Sequence, residues 1–288
     1  MLAIAAGLVR ADERTQQLIA RLSQEADAFR KLAPNVVGQE TLFQRAQKPP
    51  KGGFRVRVGA PANPQPSWQE RRIISEYSFA HFGGEGGAIH ELRRVTSLDG
   101  RTLQDSRKAQ DELAAIVTAA DDKRKKELLS QFEKYGLIGA VTDFGQLLLL
   151  FTSGDVQHYE FTFRRVENQG TARLLVFAYQ QIDGREGLTV VDARRSQEAR
   201  NVRLSGEVWV RESNFLPVRV TLATGSQSGD LVREEASVEY AMSPYGALLP
   251  FFTEHRELRG STVVAENKFS YTDFRKFSAA SDIKFETQ

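Results

Sequence analysis

Leu204–Ala223 reads LSGEVWVRESNFLPVRVTLA, and the fold of the chain turns on how this stretch is read. Val202, Leu204, Gly206, Val208 and Val210 alternate with Arg203, Ser205, Glu207, Trp209 and Arg211. After a turn over Glu212–Pro217, Val218, Val220 and Leu222 alternate with Arg219 and Thr221. A strand turns successive side chains to opposite faces, so this is a β-hairpin with one aliphatic face and one polar face. Such a pattern belongs to an antiparallel sheet with one side packed and one side wet. The expected fold is therefore α+β and mainly β. It is a curved antiparallel sheet forming an incomplete, half-open barrel, with an N-terminal helix and a central helical lid.

Period-two patterning extends in both directions. Tyr159, Phe161 and Phe163 alternate with Glu160, Thr162 and Arg164, and strands follow over Arg173–Gln181 and Leu188–Val191. Beyond the hairpin, Val232–Met242, Phe251–Leu258 and Val263–Phe274 read as three more strands. Upstream, Leu18, Ile19, Leu22, Ala26 and Phe29 recur at helical spacing within residues 12–33, with Asp12 and Glu13 where acids suit a helix start and Pro34 ending it. Strands are expected at Val36–Arg45, Arg71–Phe82 and Ala88–Leu98, with a Pro- and Gly-punctuated loop over Gln47–Ser67 holding one short strand, Phe54–Val58. The middle of the chain turns helical, first from Asp105 or Ser106 to about Ala120, then over Lys123–Tyr135. Leu137–Phe151, LIGAVTDFGQLLLLF, is the most apolar segment and is read as a buried helix.

Composition narrows the function classes. With 39 basic and 37 acidic side chains the net charge is only +2, without the positive footprint of a nucleic-acid binder. No cysteine is present, which removes disulfides, thiol nucleophiles and cysteine metal sites. The aromatic content, 18 Phe and 7 Tyr, suits half-buried pleated surfaces. No run reaches the ~18 apolar residues of a membrane span. Leu2–Leu8 is a short apolar run followed by Val9-Arg10-Ala11, read as a truncated secretory signal over residues 1–11 or as the first turn of the next helix. Residues 12–288 then form one half-barrel domain with a helical insertion at about 105–151.

No constellation specifies a reaction. His81, His90, His158 and His255 are scattered over strands, outside any helix-borne zinc motif. His158 is separated by one residue from Glu160, on the charged side of its strand. Gly225–Gly229 has Gln where a nucleophile elbow needs Ser, and the Gly83–Gly87 loop lacks the Lys-Ser/Thr of a phosphate cradle. Lys123–Lys126 is a basic run balanced by Asp121 and Asp122. No catalytic residue, metal ligand or cofactor is assigned. The apolar sheet face together with Leu137–Phe151 admits two readings: an ordinary core, or an incompletely closed barrel with a cavity beneath its lid.

The order of elements over about residues 12–285 resembles the bacterial outer-membrane lipoprotein carrier (Lol-type) proteins and the related periplasmic stress-sensor regulators. The resemblance rests on Gly206-Glu207-Val208-Trp209-Val210, on Leu216-Pro217-Val218-Arg219-Val220, and on the FSYTDF segment Phe269–Phe274. Arg71-Arg72-Ile73-Ile74 departs from that family's early Arg-Pro signature. What the resemblance implies is a periplasmic, exported protein that shelters a hydrophobic ligand, a lipid or an acylated protein. By position, Phe144, Leu147, Leu148 and Phe151 would lie on the lid, and Phe161, Phe163, Val208, Val210, Val218 and Val220 would line the sheet. The alternative is an interaction or regulatory module with a filled core, recognising an envelope protein through a surface such as that around Trp68. Neither reading involves nucleic acid or an integral membrane segment.

Overall fold

The hairpin forms as expected, within an eleven-stranded antiparallel sheet that does not close into a barrel. The computed structural model describes residues 2–47, 67–84, 87–137, 143–182, 188–191, 199–224 and 232–277. Its strands are β1 (Val36–Gln47), β2 (Trp68–His81), β3 (Ile89–Leu98), β4 (Arg101–Thr102), β5 (Tyr159–Gln169) and β6 (Ala172–Gln181). There follow β7 (Leu188–Val191), β8 (Ala199–Val202), β9 (Leu204–Arg211), β10 (Pro217–Thr224), β11 (Val232–Met242), β12 (Leu248–Arg259) and β13 (Thr262–Lys276). Strand order is β4-β3-β2-β1-β13-β12-β11-β10-β9-β6-β5, with β7 and β8 forming a separate two-stranded ribbon. The expected strand Phe54–Val58 lies outside the described residues.

Register places one continuous apolar row across the inner face. Leu42, Phe269, Thr253 and Val238 pair in turn, and the row continues through Val220, Val208 and Phe177 to Phe163. The neighbouring row is mixed: Gln44, Asn267 and His255 pair in sequence and lead to Ala236. Gly206 sits on the same face because a Cβ there would lie 2.1 Å from the Thr221 carbonyl and 2.8 Å from the Tyr179 ring. Tyr179 crosses it to donate a hydrogen bond to that carbonyl at 2.7 Å.

Helix α1 (Leu2–Leu32) covers this face, burying Leu18, Leu22, Ala26 and Phe29 completely. It starts ten residues before Asp12, so Asp12 and Glu13 lie in its interior and not at its positive end. A 3-10 turn containing Pro34 ends it and feeds β1. Helices α2 (Ser106–Thr118) and α3 (Asp122–Glu133) begin where expected, capped by Asp105 and Asp121. Leu113, Val117 and Leu128 pack with Val37, Ala80 and Leu92. Those three strand residues alternate with Leu42, Phe79 and Arg93, so α2 and the start of α3 lie on the outer face of β1–β3.

The chain then returns around the sheet edge. Phe132 of α3 reaches the inner-face cluster, the Leu137 N–H donates to Gln44, and residues 143–158 run between the inner face and α1. The long helix expected for Leu137–Phe151 is not what forms over its described part. That part is a turn at Gly145-Gln146 followed by a single 3-10 turn, Leu147–Phe151. Two residues break helical geometry: Asp143 adopts a left-handed backbone (φ 70°), and Gly145 is pressed against Glu91 and the Tyr77 hydroxyl.

Candidate functional site

The inner face and the strap across it, residues 143–158, bring together nine of the ten residues expected to form a site. Leu148 and Phe151 are fully buried and Leu147 nearly so, all within the main core. Val208, Val210 and Val220 form the floor beneath them, each 0% exposed. Phe161 and Phe163 are half-buried at the β5 edge, where Phe161 meets Phe151 at 5.5 Å and Phe163 meets Phe177 at 5.5 Å. Val218 is the exception. A register shift between Pro217 and Arg219 turns it to the outer face, where it packs with Leu174, Val176 and Trp209. An extra residue in one strand inverts the alternation that placed Val218 beside Val220.

The strap is pinned at three places. At its start, the Asp143 carboxylate accepts from the Glu91 N–H at 2.7 Å and from His90 Nδ1 at 2.8 Å, while the Asp143 N–H donates to Glu91 Oε2 at 2.8 Å. Further along, the buried Tyr240 hydroxyl accepts from the Leu148 N–H at 3.0 Å and donates to the Gly145 carbonyl at 3.1 Å. Burial raises the Tyr240 pKa, keeping that phenol protonated and able to donate. Between these points the Phe144 ring stacks on His255 at 4.4 Å and 19°. The hydrogen bond to Asp143 raises the His90 pKa, partly opposed by burial.

Two buried polar clusters occupy the floor at its β3–β12 side. In one, Arg93 donates through Nε to Glu40 at 2.8 Å and through Nη2 to Glu91 at 2.6 Å, and Tyr77 donates to Glu91 at 2.7 Å. The guanidinium lies 4.8 Å from the Phe132 ring and 5.1 Å from Tyr77. Burial holds the Glu40 carboxyl above its ordinary range, against the pull of Arg93. In the other, His255 Nε2 donates to Glu234 at 2.5 Å while Asn267 Nδ2 donates to His255 Nδ1 at 3.0 Å. Both ring nitrogens are thus committed, leaving His255 neither a free lone pair nor a free proton for general acid–base work.

Of these polar residues the sequence marks only His90 and His255, as histidines scattered over strands, and not the partners they meet here. The available signal was a charge at a buried period-two position: Glu40 between Val36 and Leu42, and Glu91 and Arg93 between Ile89 and Val95. Among the described residues, no group of three His, Asp or Glu is placed to hold a metal ion, and no helix is long and apolar enough to cross a membrane. The strap side chains fill the space between floor and α1. A pocket of about 150 Å³ lies at the edge of the Arg93 cluster, beside Phe132 and Leu128.

Comparison with known proteins gives distant structural likenesses. A domain described as an outer membrane lipoprotein-sorting protein from Vibrio parahaemolyticus is 11% identical, with 91% of this chain and 93% of that chain covered and a TM-score of 0.41. A DUF1329 family protein from Desulfovibrio piger is 13% identical over 93% of this chain and 97% of that chain, with a TM-score of 0.41. A LolA superfamily protein from Nitrosomonas europaea is 12% identical over 88% of this chain and 94% of that chain, with a TM-score of 0.30. No protein-family model matches the chain, and no curated protein matches it.

Proposed function

We propose that the protein is a non-enzymatic binding protein of the cell envelope, taking an apolar chain from a lipid or an acylated protein onto the inner sheet face when the strap lifts. The observation that carries this reading is the nature of the cover. A floor of Val208, Val220, Phe177 and Val238 is met first by a 3-10 turn, over which the long helix α1 packs, so that strap and helix make up the cover together. Its backbone ties to the floor around Gly145–Leu148 converge on one phenol, Tyr240.

The energetics are compatible. Exposing Leu147, Leu148 and Phe151 costs about 1.5–3 kcal/mol each, and a sixteen-carbon chain offers ~0.8 kcal/mol per buried methylene, about 12 kcal/mol in all. That acyl chain thus offsets the exposure of these three strap side chains. A diazirine-bearing hexadecanol probe should crosslink saturably to peptides carrying Phe177 and Val208. Labelling that is non-saturable, or that falls on the Val218–Trp209 face, would refute the reading.

The same burial favours a second reading, in which the strap is permanent core and the protein acts by recognising an envelope partner. In that case the probe gives no inner-face adduct and a saturable protein partner is recovered by crosslinking in the periplasm.

A further inference from the structure

The inner face is not uniformly apolar, and its polar end has a definite hydrogen-bonding character. Across β12 and β13 the row Asn267–His255 lies beside the apolar row that contains Phe269 and Thr253. One row further out, Glu234 of β11 pairs with Glu257 of β12. Polarity thus rises stepwise from the middle of the floor toward one rim.

Most donors of this end are used: Asn267 Nδ2 spends one of its two N–H groups on His255, and the His255 N–H goes to Glu234. Acceptors predominate in what remains, beside that second amide N–H and the Thr253 hydroxyl of the next row. Asn267 Oδ1 is buried on a residue 1% exposed and has no hydrogen-bond partner, and the Glu234 carboxylate has lone pairs beyond the one it gives His255. Glu257, in the outermost row, pairs with Arg259 at 3.6 Å. Phe144 stacks on His255 at the centre of this group, so the movement that uncovers the apolar floor bares that ring and the acceptors beside it.

We infer that this row is the head-group subsite of the ligand, and that it selects an uncharged lipid head carrying hydroxyl donors, of the glycerol-ester type, over a carboxylate or phosphate head. The inference rests on the binding reading above and adds to it the direction in which the ligand lies. The acyl chain runs toward β5–β10, with the head at β12–β13. An anionic head brings only acceptors to a place where acceptors predominate, and meets the Glu234 carboxylate there. An ammonium head would find acceptors but would surrender its hydration in a buried site. A hydroxyl can donate to Asn267 Oδ1 without either cost.

The test is displacement of a fluorescent apolar dye at pH 8 by four ligands of one chain length: monomyristoylglycerol, methyl myristate, myristate and tetradecylamine. Monomyristoylglycerol should bind about tenfold more tightly than methyl myristate, the scale of one or two neutral hydrogen bonds, and more than tenfold more tightly than myristate. Glu234→Gln should raise the affinity for myristate relative to that for monomyristoylglycerol. Asn267→Leu, nearly isosteric, removes the acceptor; it should retain a native circular dichroism spectrum and abolish the preference for the glyceride over the methyl ester.

Equal affinities for glyceride and methyl ester, with both binding, would overturn the head-group assignment and leave the binding face standing. Tightest binding of tetradecylamine, or of myristate, would overturn it as well. Failure of all four ligands to displace the dye would overturn the binding reading, and this inference with it.

Discussion

Replacing Tyr240 by Phe tests the strap directly. The substitution keeps the ring and removes only the hydroxyl that accepts from the Leu148 N–H and donates to the Gly145 carbonyl. Losing the bond to the Gly145 carbonyl costs about 1 kcal/mol net, and leaving the buried Leu148 N–H without a partner costs about 1–3 kcal/mol. The closed strap should therefore lose about 2–4 kcal/mol relative to the lifted one. If lifting precedes binding, the same energy reappears as affinity, because a ligand that needs a minor state binds more tightly as that state becomes more populated. At the lower figure this is about thirtyfold. Hydrogen exchange followed by mass spectrometry should show faster exchange in peptides spanning residues 143–158, and little change in β9–β10. Dye displacement by monomyristoylglycerol should show the tighter binding. Faster exchange with unchanged or weakened binding would sink the idea that the strap gates the face, and leave it as ordinary core.

Three other perturbations probe the frame. Gly206→Ala places a methyl group 2.1 Å from the Thr221 carbonyl and against the Tyr179 ring, so β9–β10 pairing must yield. A loss of about 2–4 kcal/mol in urea unfolding is expected, within the range for overpacking and a broken buried hydrogen bond. Arg93→Met leaves Glu40 and Glu91 buried without their cation and should cost about 3–5 kcal/mol. Burial already lifts the Glu40 carboxyl, and without Arg93 it rises further. A carboxyl raised in the folded state costs nothing below its ordinary value and progressively more as pH climbs from there through the raised one, so the variant should be firmer at pH 5 than at pH 7.5. His90 has the opposite kind of partner. Its pKa is raised by Asp143, so the pair's contribution is complete below the ordinary histidine value of about 6.5 and fades as pH rises through the raised value. Exchange at the strap should therefore quicken between pH 6 and 8.5, and His90→Gln should flatten that difference.

Much of this architecture was legible in the sequence because its strands keep a period of two over most of their length. Val208 and Val210 point inward as their alternation demands, and Asp105 begins its helix as its capping chemistry demands. Where local pattern and tertiary demand part, the sequence was silent. LIGAVTDFGQLLLLF carries apolar mass without a period that separates a helix from an extended strap. The close approach of Gly145 to Tyr77 and Glu91 involves residues more than fifty positions away. Val218 looked inward because nothing in Leu-Pro-Val-Arg announces a bulge. Of the candidate site, the apolar members were recoverable and the polar ones were not, since Glu234, His255 and Asn267 meet only through cross-strand register.

The passage of the chain around β3 has one more consequence. A sheet of this width ends in two rows of backbone groups that could recruit another chain. At the β3 end, the Asp143 carboxylate takes the Glu91 N–H, and the segment after β4 bonds back to the Thr96 carbonyl through the Leu103 N–H at 2.8 Å. That margin is hemmed by its own polypeptide. At the other margin β5 is the last strand of the sheet, carrying Glu160, Arg164, Arg165 and Glu167 along it. The two ends thus guard against unwanted strand addition by different means, one by a fold of chain and the other by charge. Neutralising those four side chains should make β5 the place where molecules first stick together.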